Sequence, residues 1–406
     1  MKIRSSTPNF HGKPVAHDEH CHRHAINNSG RGLLNERFLP DHKVSKTHRV
    51  KFMNDFQWMI YGANGYSGEL IAREARRRGL KPVLAGRTAE RIAPLAQELD
   101  CEHRTFALAD AAATAKALVG MNLVLNCAGP FSATAAPMAS ACLNGRAHYL
   151  DITGEIEVFE ALHARDAAAR AAGIVLCPGV GFDVIPTDCL AVALKTALPD
   201  ATHLALGFDS RSGFSPGTAK TMVEGLGQGG RVRRDGRIVP VPPFWKTRRI
   251  DFGRGEKTAM TIPWGDVATA FHSTGIPTIE TYVPATPTLL RWRWLLPWLR
   301  PLFGLGLVQT LLKQRVTATV RGPDDEQRQR TPTWVWGEVT NAAGARKIGR
   351  VQTANGYDVT VQGALAVIEW LRANAPTGGY YTPAQLLGAG LVETLPGSTP
   401  IRLTET

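Results

Sequence analysis

Paired cysteines are missing from this 406-residue chain, whose six cysteines all stand singly. Without a C-x-x-C pair, a cysteine-rich zinc site or a redox dithiol is disfavoured, and no metal site is predicted. Several of the cysteines lie in apolar runs, as reduced, buried thiols do. A reducing, cytosolic compartment fits this usage.

No apolar run reaches the ~18–20 residues that a membrane span requires. The nearest approach, 289–312 (LLRWRWLLPWLRPLFGLGLVQTLL), is interrupted by three arginines and two prolines. We favour a pair of buried or subunit-interface helices here, which makes a homodimer one expected assembly. The alternatives are a peripheral membrane or lipid contact with tryptophans at headgroup level, and an apolar wall for a greasy substrate.

Residues 1–52 have no hydrophobic periodicity and no apolar segment of the kind found in secretory signal peptides. Seven of the twelve histidines lie here, and through Lys51 there are ten Lys/Arg against four Asp/Glu. This composition predicts a disordered extension, with a metal-binding tract around HDEHCHRH as the alternative. The rest of the chain is mildly basic and has no nucleic-acid-binding motif, so its charge favours small anionic ligands.

From residue 53 to 182, short apolar runs alternate with helical stretches. WMIYG, PVLAG, TFALAD, LVLNCAG, HYLDITG and IVLCPG are predicted strands, and stretches such as ELIAREARRRG and TAERIAPLAQEL between them are predicted helices. Strands that alternate with helices of this length are typical of βαβ units and a parallel sheet. The sequence therefore predicts a Rossmann-type α/β domain.

The rhythm changes over residues 183–350, where antiparallel strands are predicted. RVRRDGRIVPV has a two-residue Asp235–Gly236 hairpin turn, and a second hairpin is predicted around Asn341–Gly344. We expect a second, α+β domain with a mixed or antiparallel sheet that binds substrate or forms a dimer. Residues 351–406 are predicted to form a helix and tail that pack back on the first domain.

YGANGYSG follows the first predicted strand and opens a helix, which is the context of a nucleotide-binding turn. In this reading Gly62 permits the tight turn, Gly65 lets the backbone approach a pyrophosphate, and Gly68 lets helix and strand pack closely. The helix N-terminus would supply N–H donors and a positive dipole. Asn64 and Tyr66, which lie within the turn, are also expected to contact the cofactor.

The second predicted strand has no acidic residue at its end, where NAD sites place one for the ribose hydroxyls. It ends in AGR, with Arg87 followed by Arg91 one turn later. A guanidinium pairs with a 2′-phosphate, so the sequence predicts NADP(H) rather than NAD. A solvated surface arginine is the alternative. Asp110 is expected either to reach the adenine edge or to cap a helix.

NCAGPF ends the fourth predicted strand, where small residues would let the cofactor cross the strand tip. Position in an open α/β sheet favours a ligand site over a simple turn. The residues expected to flank the nicotinamide half are Asn126, Cys127, Ala128, Gly129 and Phe131.

HYLDITGE and PGVGFDVIPTD end the fifth and sixth strands and should face the same cleft. Tyr149 and Asp183 are the candidate catalytic residues, because a proton donor is needed there. Helix capping is the alternative for Asp183, and it is the favoured role for Asp188. Ser215 precedes Pro216, so it caps a helix whose N-terminus is also a candidate anion site.

The Tyr-x-x-x-Lys pair of short-chain dehydrogenases is absent. The chain instead resembles the saccharopine dehydrogenase-like NADP-binding oxidoreductases, and more closely the branch described as trans-acting enoyl reductases. The matching pieces run from about residue 56 to 400 and are YGANGYSG, LAGR, NCAGPF, HYLDITGE, PGVGFDVIPTD, SPGTAKTM, RRDGRIVPVP, TWVWGEV and GYYTPAQLLGAGLVETLPG.

The resemblance implies a Rossmann domain, a second α+β domain and NAD(P)-dependent hydride transfer. Together with the residues above, it predicts an NADPH-dependent reductase of an activated C=C in an acyl substrate. The alternatives are reduction of a C=N bond, as in saccharopine enzymes, and a module that senses NADP without turnover.

Overall fold

The structure is a computed structural model that describes residues 56–225, 229–286, 290–291, 303 and 305–405. The predicted N-terminal extension, residues 1–52, lies outside the described residues, and so does most of the 289–312 tract. All structural statements below concern the described part of the chain.

The first half of the described chain alternates strands and helices, as its apolar periodicity predicts. Its strands are β1 Trp58–Tyr61, β2 Val83–Gly86, β3 His103–Thr105, β4 Leu123–Asn126, β5 His148–Asp151 and β6 Val175–Cys177. Its helices are α1 Tyr66–Arg77, α2 Ala89–Glu98, α3 Ala111–Ala117, α4 Phe131–Gly145, α5 Ile156–His163 and α6 Asp166–Ala172.

Longer strands and fewer helices follow, which matches the change of rhythm in the sequence. The helices are α7 Ile185–Ala197, α8 Pro216–Gly225, α9 Asp266–Thr274, α10 Gly306–Thr319 and α11 Asp325–Arg330. The strands are β7 Ala201–Asp209, β8 Gly230–Arg234, β9 Arg237–Val241, β10 Thr247–Asp251, β11 Glu256–Ile262, β12 Thr278–Pro284, β13 Thr333–Asn341 and β14 Arg346–Thr353.

The chain ends in short elements after one long helix. These are α12 Gly356–Ala373, β15 Gly379–Tyr380, α13 Pro383–Leu387, α14 Leu391–Thr394 and β16 Arg402–Glu405. Helix α12 packs against α1, and β15 pairs with β6 of the first sheet. Strand β16 instead pairs with β14 of the second sheet, so the C-terminal segment contributes to both sheets.

Two sheets organise the molecule. The first has seven parallel strands in the order β15-β6-β5-β4-β1-β2-β3. The second has nine strands, with β12 parallel to β7 and antiparallel pairing elsewhere. Both predicted hairpins are present, as β8–β9 and β13–β14. The predicted fold class, a Rossmann-type parallel sheet with a second α+β domain, is confirmed.

Both faces of the first sheet are buried, which explains why its strands are continuously apolar rather than alternating. Ile60 and Leu125 contribute to the core that α12 covers, whereas Met59 and Val124 contribute to the core under α4. Because the strands are parallel, their carboxyl ends meet at one edge, and the connections that leave this edge form the candidate site.

Candidate functional site

The glycine turn after β1 requires glycine for different reasons at its three positions. Gly62 has a φ of +83°, and a Cβ there would lie 2.8 Å from the Ala128 backbone nitrogen. A Cβ on Gly68 would lie 2.4 Å from the Gly62 carbonyl oxygen, so α1 could not pack this closely on β1. Gly65 has an ordinary φ of −82°, so its lack of a side chain leaves space rather than relieving strain.

The N-terminus of α1 opens directly onto this turn. No side chain of the described residues caps it, so its first N–H groups are available to an anion. Asn64 lies beside the end of β2, with its Oδ1 3.2 Å from where a Gly86 Cβ would be. A glycine cradle, an uncapped helix and a polar side chain at the neighbouring strand fit a dinucleotide pyrophosphate.

Tyr66 directs its side chain towards the second domain. Its hydroxyl donates to the Pro323 carbonyl at 2.5 Å and accepts from Arg328 at 3.2 Å, while its ring lies edge-on to Tyr357. The phenol therefore connects the glycine turn to the 323–328 segment, and only the Tyr66 backbone lies at the start of α1.

Arg87 is exposed immediately after β2, at the same edge of the sheet as the glycine turn. Burial raises the pKa of the Tyr61 hydroxyl, and the positive charge of Arg87 opposes that rise, so the guanidinium lies near the end of β1. No described residue forms a hydrogen bond or ion pair with the Arg87 side chain. An unneutralised guanidinium at this position fits a 2′-phosphate.

Three side chains expected at helix ends do form caps, but one of them caps another helix. Asp110 accepts from the amide three residues on at 2.9 Å, and Ser215 accepts from the Thr218 amide at 3.2 Å. Asp188 lies in the first turn of α7 but accepts from the Ala384 amide of α13 at 2.9 Å. Its expected role as a cap for its own helix is therefore wrong.

The loop after β4 lies against the glycine turn. Burial raises the pKa of the Cys127 thiol, so this residue stays protonated and lines the loop as a small apolar group. Ala128 makes the closest approach to Gly62, and the Asn126 carboxamide accepts from the Ala128 amide at 3.1 Å. Phe131 begins α4 and is buried, so its ring contributes mainly to the core.

Glu155 was not identified from the sequence, although it is the last residue of the HYLDITGE motif. Its two carboxylate oxygens accept from the Phe131 and Ser132 amides at 2.9 and 2.7 Å. The side chain therefore occupies the N-terminus of α4 and joins the loop after β5 to the loop after β4. Burial raises the pKa of the Glu155 carboxyl.

Tyr149 is completely buried, and so is its partner Asp151. The Tyr149 hydroxyl donates to the Asp151 carboxylate at 2.7 Å, and the Asn126 amide group contacts the same hydroxyl at 3.4 Å. This places the predicted donor Tyr149 beneath the strand ends, with its proton directed at another protein side chain.

Asp183, the other predicted catalytic residue, is half-buried in the connection between β6 and α7. Its carboxylate packs on Gly154 in the loop after β5, where a Cβ would lie 2.8 Å from Oδ2. No described residue donates a hydrogen bond to this carboxylate. Burial raises the pKa of Asp183 to about 7, because a desolvated charge is disfavoured.

Aromatic side chains from both domains lie near the backbone of Asp183. The Trp264 indole N–H donates to the Asp183 carbonyl at 3.0 Å. The Phe208 ring lies 4.9 Å from Trp264 and 5.4 Å from Phe182. The sequence indicated an apolar wall only at 289–312, and no motif pointed to Trp264 or Phe208.

A second buried acid, Asp266, follows Trp264 at the start of α9. Thr187 donates to its Oδ1 at 2.6 Å, and Oδ2 is buried without a partner among the described residues. Burial raises the pKa of Asp266 well above its usual range, with further contributions from the charges of Asp188 and Asp183. The effect of the Asp183 charge shows that Asp266 lies close to Asp183, and sequence reasoning missed it.

Two further properties of the described residues bear on the predictions. No group of three or more His, Cys, Asp or Glu among them could hold a metal ion. None of their helices combines the length and apolarity needed to cross a bilayer.

The parallel sheet, the glycine turn and the uncapped helix define a dinucleotide-binding domain with a second, sheet-based domain beside it. Within this class, residues 58–177 match the saccharopine dehydrogenase NADP-binding domain. The family resemblance seen in the motifs is thereby confirmed for this domain, and the description of the matching domain supports a nicotinamide cofactor, NADP by name. The whole described fold is similar to apo saccharopine dehydrogenase (L-Glu forming) of Saccharomyces cerevisiae, with a TM-score of 0.59, 10% identity, and coverage of 86% of this chain and 100% of that one.

Curated relatives match about half of the chain. The chain is 29% identical over 212 residues to a trans-acting enoyl reductase of Mycobacterium tuberculosis, covering 48% of this chain and 50% of that protein. It is 28% identical over 215 residues to a protein of Arabidopsis thaliana named as a saccharopine dehydrogenase-like oxidoreductase, covering 46% and 47%. The chain thus spans about half the length of the curated relatives it matches.

Proposed function

We propose that this protein is an NADPH-dependent reductase of a conjugated carbon–carbon double bond in an acyl substrate. The observation that carries this proposal is Asp183, whose carboxyl accepts no hydrogen bond from a described residue and has a pKa raised to about 7 at the edge where the strands end. A group that is partly protonated at neutral pH is suited to general-acid catalysis. The names of the mycobacterial relatives favour an enoyl group as the acceptor.

Bound at this site, the dinucleotide would supply a hydride for the β-carbon of the enoyl group. The electron pair of the double bond then shifts towards the carbonyl oxygen. Asp183 gives its proton to the α-carbon, and the resulting carboxylate regains a proton from water. The acyl chain would thus gain one hydride from NADPH and one proton from Asp183.

The remaining residues of the site bind, orient and exclude water. Gly62, Gly65 and Gly68 leave room for the pyrophosphate, and Arg87 pairs with the 2′-phosphate. Trp264, which donates to the Asp183 backbone carbonyl, and the adjoining Phe208 ring provide an apolar wall that suits an acyl chain.

Reduction of an imine is the second candidate function, and the aromatic rings of Trp264 and Phe208 favour it. Asp183 would give its proton to the imine nitrogen, and the resulting carboxylate and the aromatic rings would then hold the iminium cation that accepts the hydride. The two candidates differ only in the bond reduced, so substrate panels separate them.

The proposed function is tested by following NADPH absorbance with the full chain and a panel of 2-enoyl thioesters, beside a panel of cyclic imines. We expect oxidation of NADPH that depends on the enoyl thioester. Turnover of imines alone would favour the second candidate. Tight NADPH binding without turnover of either panel would contradict a reductase and indicate a sensing module.

We further propose a peripheral lipid contact through α10, which begins within the predicted 289–312 tract. Leu305, Leu307 and Leu311 are 54, 74 and 57% exposed, and α10 packs on α8, where Met222 is 49% exposed. Clustered exposed apolar side chains are typical of an interaction surface.

Sedimentation with phosphatidylcholine–phosphatidylglycerol liposomes tests the lipid contact. The double variant Leu307→Glu/Leu311→Glu should lower the bound fraction about tenfold, because charged side chains do not enter the apolar layer. Val119→Glu is the matched control, since Val119 is 71% exposed in the other domain. Equal binding by both variants would contradict the proposal, and a dimer lost only in the double variant would identify a subunit interface instead.

A further inference from the structure

Three polar side chains with no solvent access lie together in the first sheet. Asn126 ends β4, Asp151 ends β5 beside it, and Tyr149 precedes Asp151 by two residues on the same face. The Tyr149 hydroxyl is the centre of the group: it donates to Asp151 Oδ2 at 2.7 Å and lies 3.4 Å from Asn126 Nδ2.

Burying these polar groups costs desolvation free energy, which the apolar residues at neighbouring positions do not incur. Val124 lies beside Tyr149 in the same sheet and packs without polar atoms. A buried polar group is tolerated only when it is hydrogen-bonded, and an apolar triplet of similar volume often stabilises a fold as well or better. Burial raises the pKa of Asp151 to about 6, yet its carboxylate still accepts three hydrogen bonds. Stability alone therefore does not explain the group.

The hydrogen bonds of the group end on backbone atoms of three different loops. Asp151 Oδ1 accepts from the Thr153 amide at 3.0 Å and from the Gly179 amide at 2.9 Å, in the loops after β5 and β6. Asn126 Oδ1 accepts from the Ala128 amide at 3.1 Å, in the loop after β4. One buried group thus determines the position of three adjacent loops.

These loops leave the strand ends at which an open α/β sheet binds its ligand. Ala128 directly abuts the glycine turn at Gly62, and the loop after β5 contains Gly154, on which the Asp183 carboxylate packs. A displacement of the loops would therefore alter both the cofactor cradle and the surroundings of the proposed proton donor.

We propose that Asn126, Tyr149 and Asp151 are positioning residues that hold the loops after β4, β5 and β6 in the arrangement that binds the nicotinamide half of NADPH. Tyr149 acts through Asp151 and does not donate a proton to substrate. The proposal rests on the proposed function for the nature of the ligand, but its test needs no substrate.

Tyr149→Phe removes only the central hydroxyl. We expect the Kd for NADPH to rise about tenfold, since the loops that contact it lose their shared anchor; this equals about 1.4 kcal/mol. Amide hydrogen exchange should accelerate at Ala128, Thr153 and Gly179, because local order around them decreases. NADPH titration and exchange mass spectrometry on the full chain provide the two measurements.

Tyr282→Phe is the matched control. Tyr282 is also completely buried, and its hydroxyl donates to Glu280 on β12 of the second sheet. Both variants lose a buried tyrosine–carboxylate hydrogen bond and should melt at a lower temperature. Only Tyr149→Phe should weaken NADPH binding and accelerate exchange in the three loops, whereas Tyr282→Phe should stay within about twofold of the wild type.

A milder variant keeps the proposal testable if Tyr149→Phe does not fold. Thr134 lies at the edge of the group, accepts from Asn126 Nδ2 at 3.2 Å and donates to the Ala128 carbonyl at 2.6 Å. Thr134→Val should raise the Kd for NADPH about threefold, in the same direction as Tyr149→Phe.

Several outcomes would overturn the positioning role. They are unchanged affinity and exchange in Tyr149→Phe, an equal loss of affinity in both Tyr→Phe variants, and a loss of turnover at unchanged NADPH affinity, which would make Tyr149 the proton donor. A lack of turnover in the wild type would contradict the proposed function, but NADPH affinity and exchange would still decide the role of the three residues.

Discussion

Asp183→Asn should lower the turnover number by about 10²–10⁴-fold, the usual contribution of a general acid. The carboxamide has the same shape but has no proton to give at neutral pH. The affinity for NADPH should change by less than about twofold, because Asp183 is not one of the residues proposed to bind the pyrophosphate or the 2′-phosphate. Steady-state kinetics with an enoyl thioester and an NADPH titration measure the two quantities.

The pH dependence provides a second readout of Asp183. The protonated form is the active one, so the wild-type rate should fall as pH rises through about 7, where burial places the pKa of this carboxyl. This fall in rate at high pH should be absent from the residual activity of Asp183→Asn. The same fall in rate in both proteins would assign the proton to another group.

Stability distinguishes loss of the acid from loss of the fold. The pKa of Asp183 is raised from its usual 3.8 to about 7, so its favourable contribution to folding is present below about pH 4 and is lost as pH rises through 7. Asp183→Asn is neutral throughout and should not melt earlier than the wild type at pH 8. As a matched control, Asp209→Asn removes a buried carboxylate that pairs with Lys257 and should retain turnover.

Arg87→Asp should weaken NADPH by about 100-fold or more, equivalent to about 2.8 kcal/mol, while NADH changes by less than about threefold. The substitution replaces an unpaired guanidinium with a charge that repels the 2′-phosphate. NADH has no phosphate there, and a carboxylate at this strand end can accept from its ribose hydroxyls. Parallel titrations with the two cofactors measure the change of preference.

Arg146→Asp is the matched control for charge reversal. Arg146 is exposed after the C-terminus of α4, at the opposite edge of the sheet, and has a left-handed backbone that aspartate tolerates. It should leave both affinities within about twofold of the wild type. Equal losses of NADPH and NADH in Arg87→Asp would contradict the 2′-phosphate assignment.

Local pattern was sufficient for most of the fold. The apolar runs WMIYG and LVLNCAG became β1 and β4, and the Asp235–Gly236 turn joins β8 to β9 with Arg234 opposite Arg237. Such features depend on residues that are close in the sequence, so periodicity and turn chemistry predict them. The division of the C-terminal segment between the two sheets was not predicted, because β15 and β16 are too short to carry a pattern.

Sequence reasoning identified candidate site residues only in the segments that follow strands of the first sheet. Gly62 and Arg87 were predicted because they come directly after parallel strands, and Asp183 because it lies in the connection that follows β6; the ends of these strands share an edge. Trp264 and Asp266 were missed because they come from α9 and the residue pair before it, more than eighty residues after β6. No spacing rule connects them to Asp183; only domain packing does.

The glycine turn and the predicted preference for NADP follow from the sequence by itself, because a backbone cradle and an arginine in place of an acid are local features of two strand ends. Only the tertiary structure separates the surroundings of the two candidate proton donors. The Tyr149 hydroxyl is completely buried against Asp151, while the half-buried Asp183 carboxylate accepts no hydrogen bond from a described residue, and burial raises its pKa. Burial and hydrogen-bond partners depend on residues distant in the sequence, and they control where a proton is held.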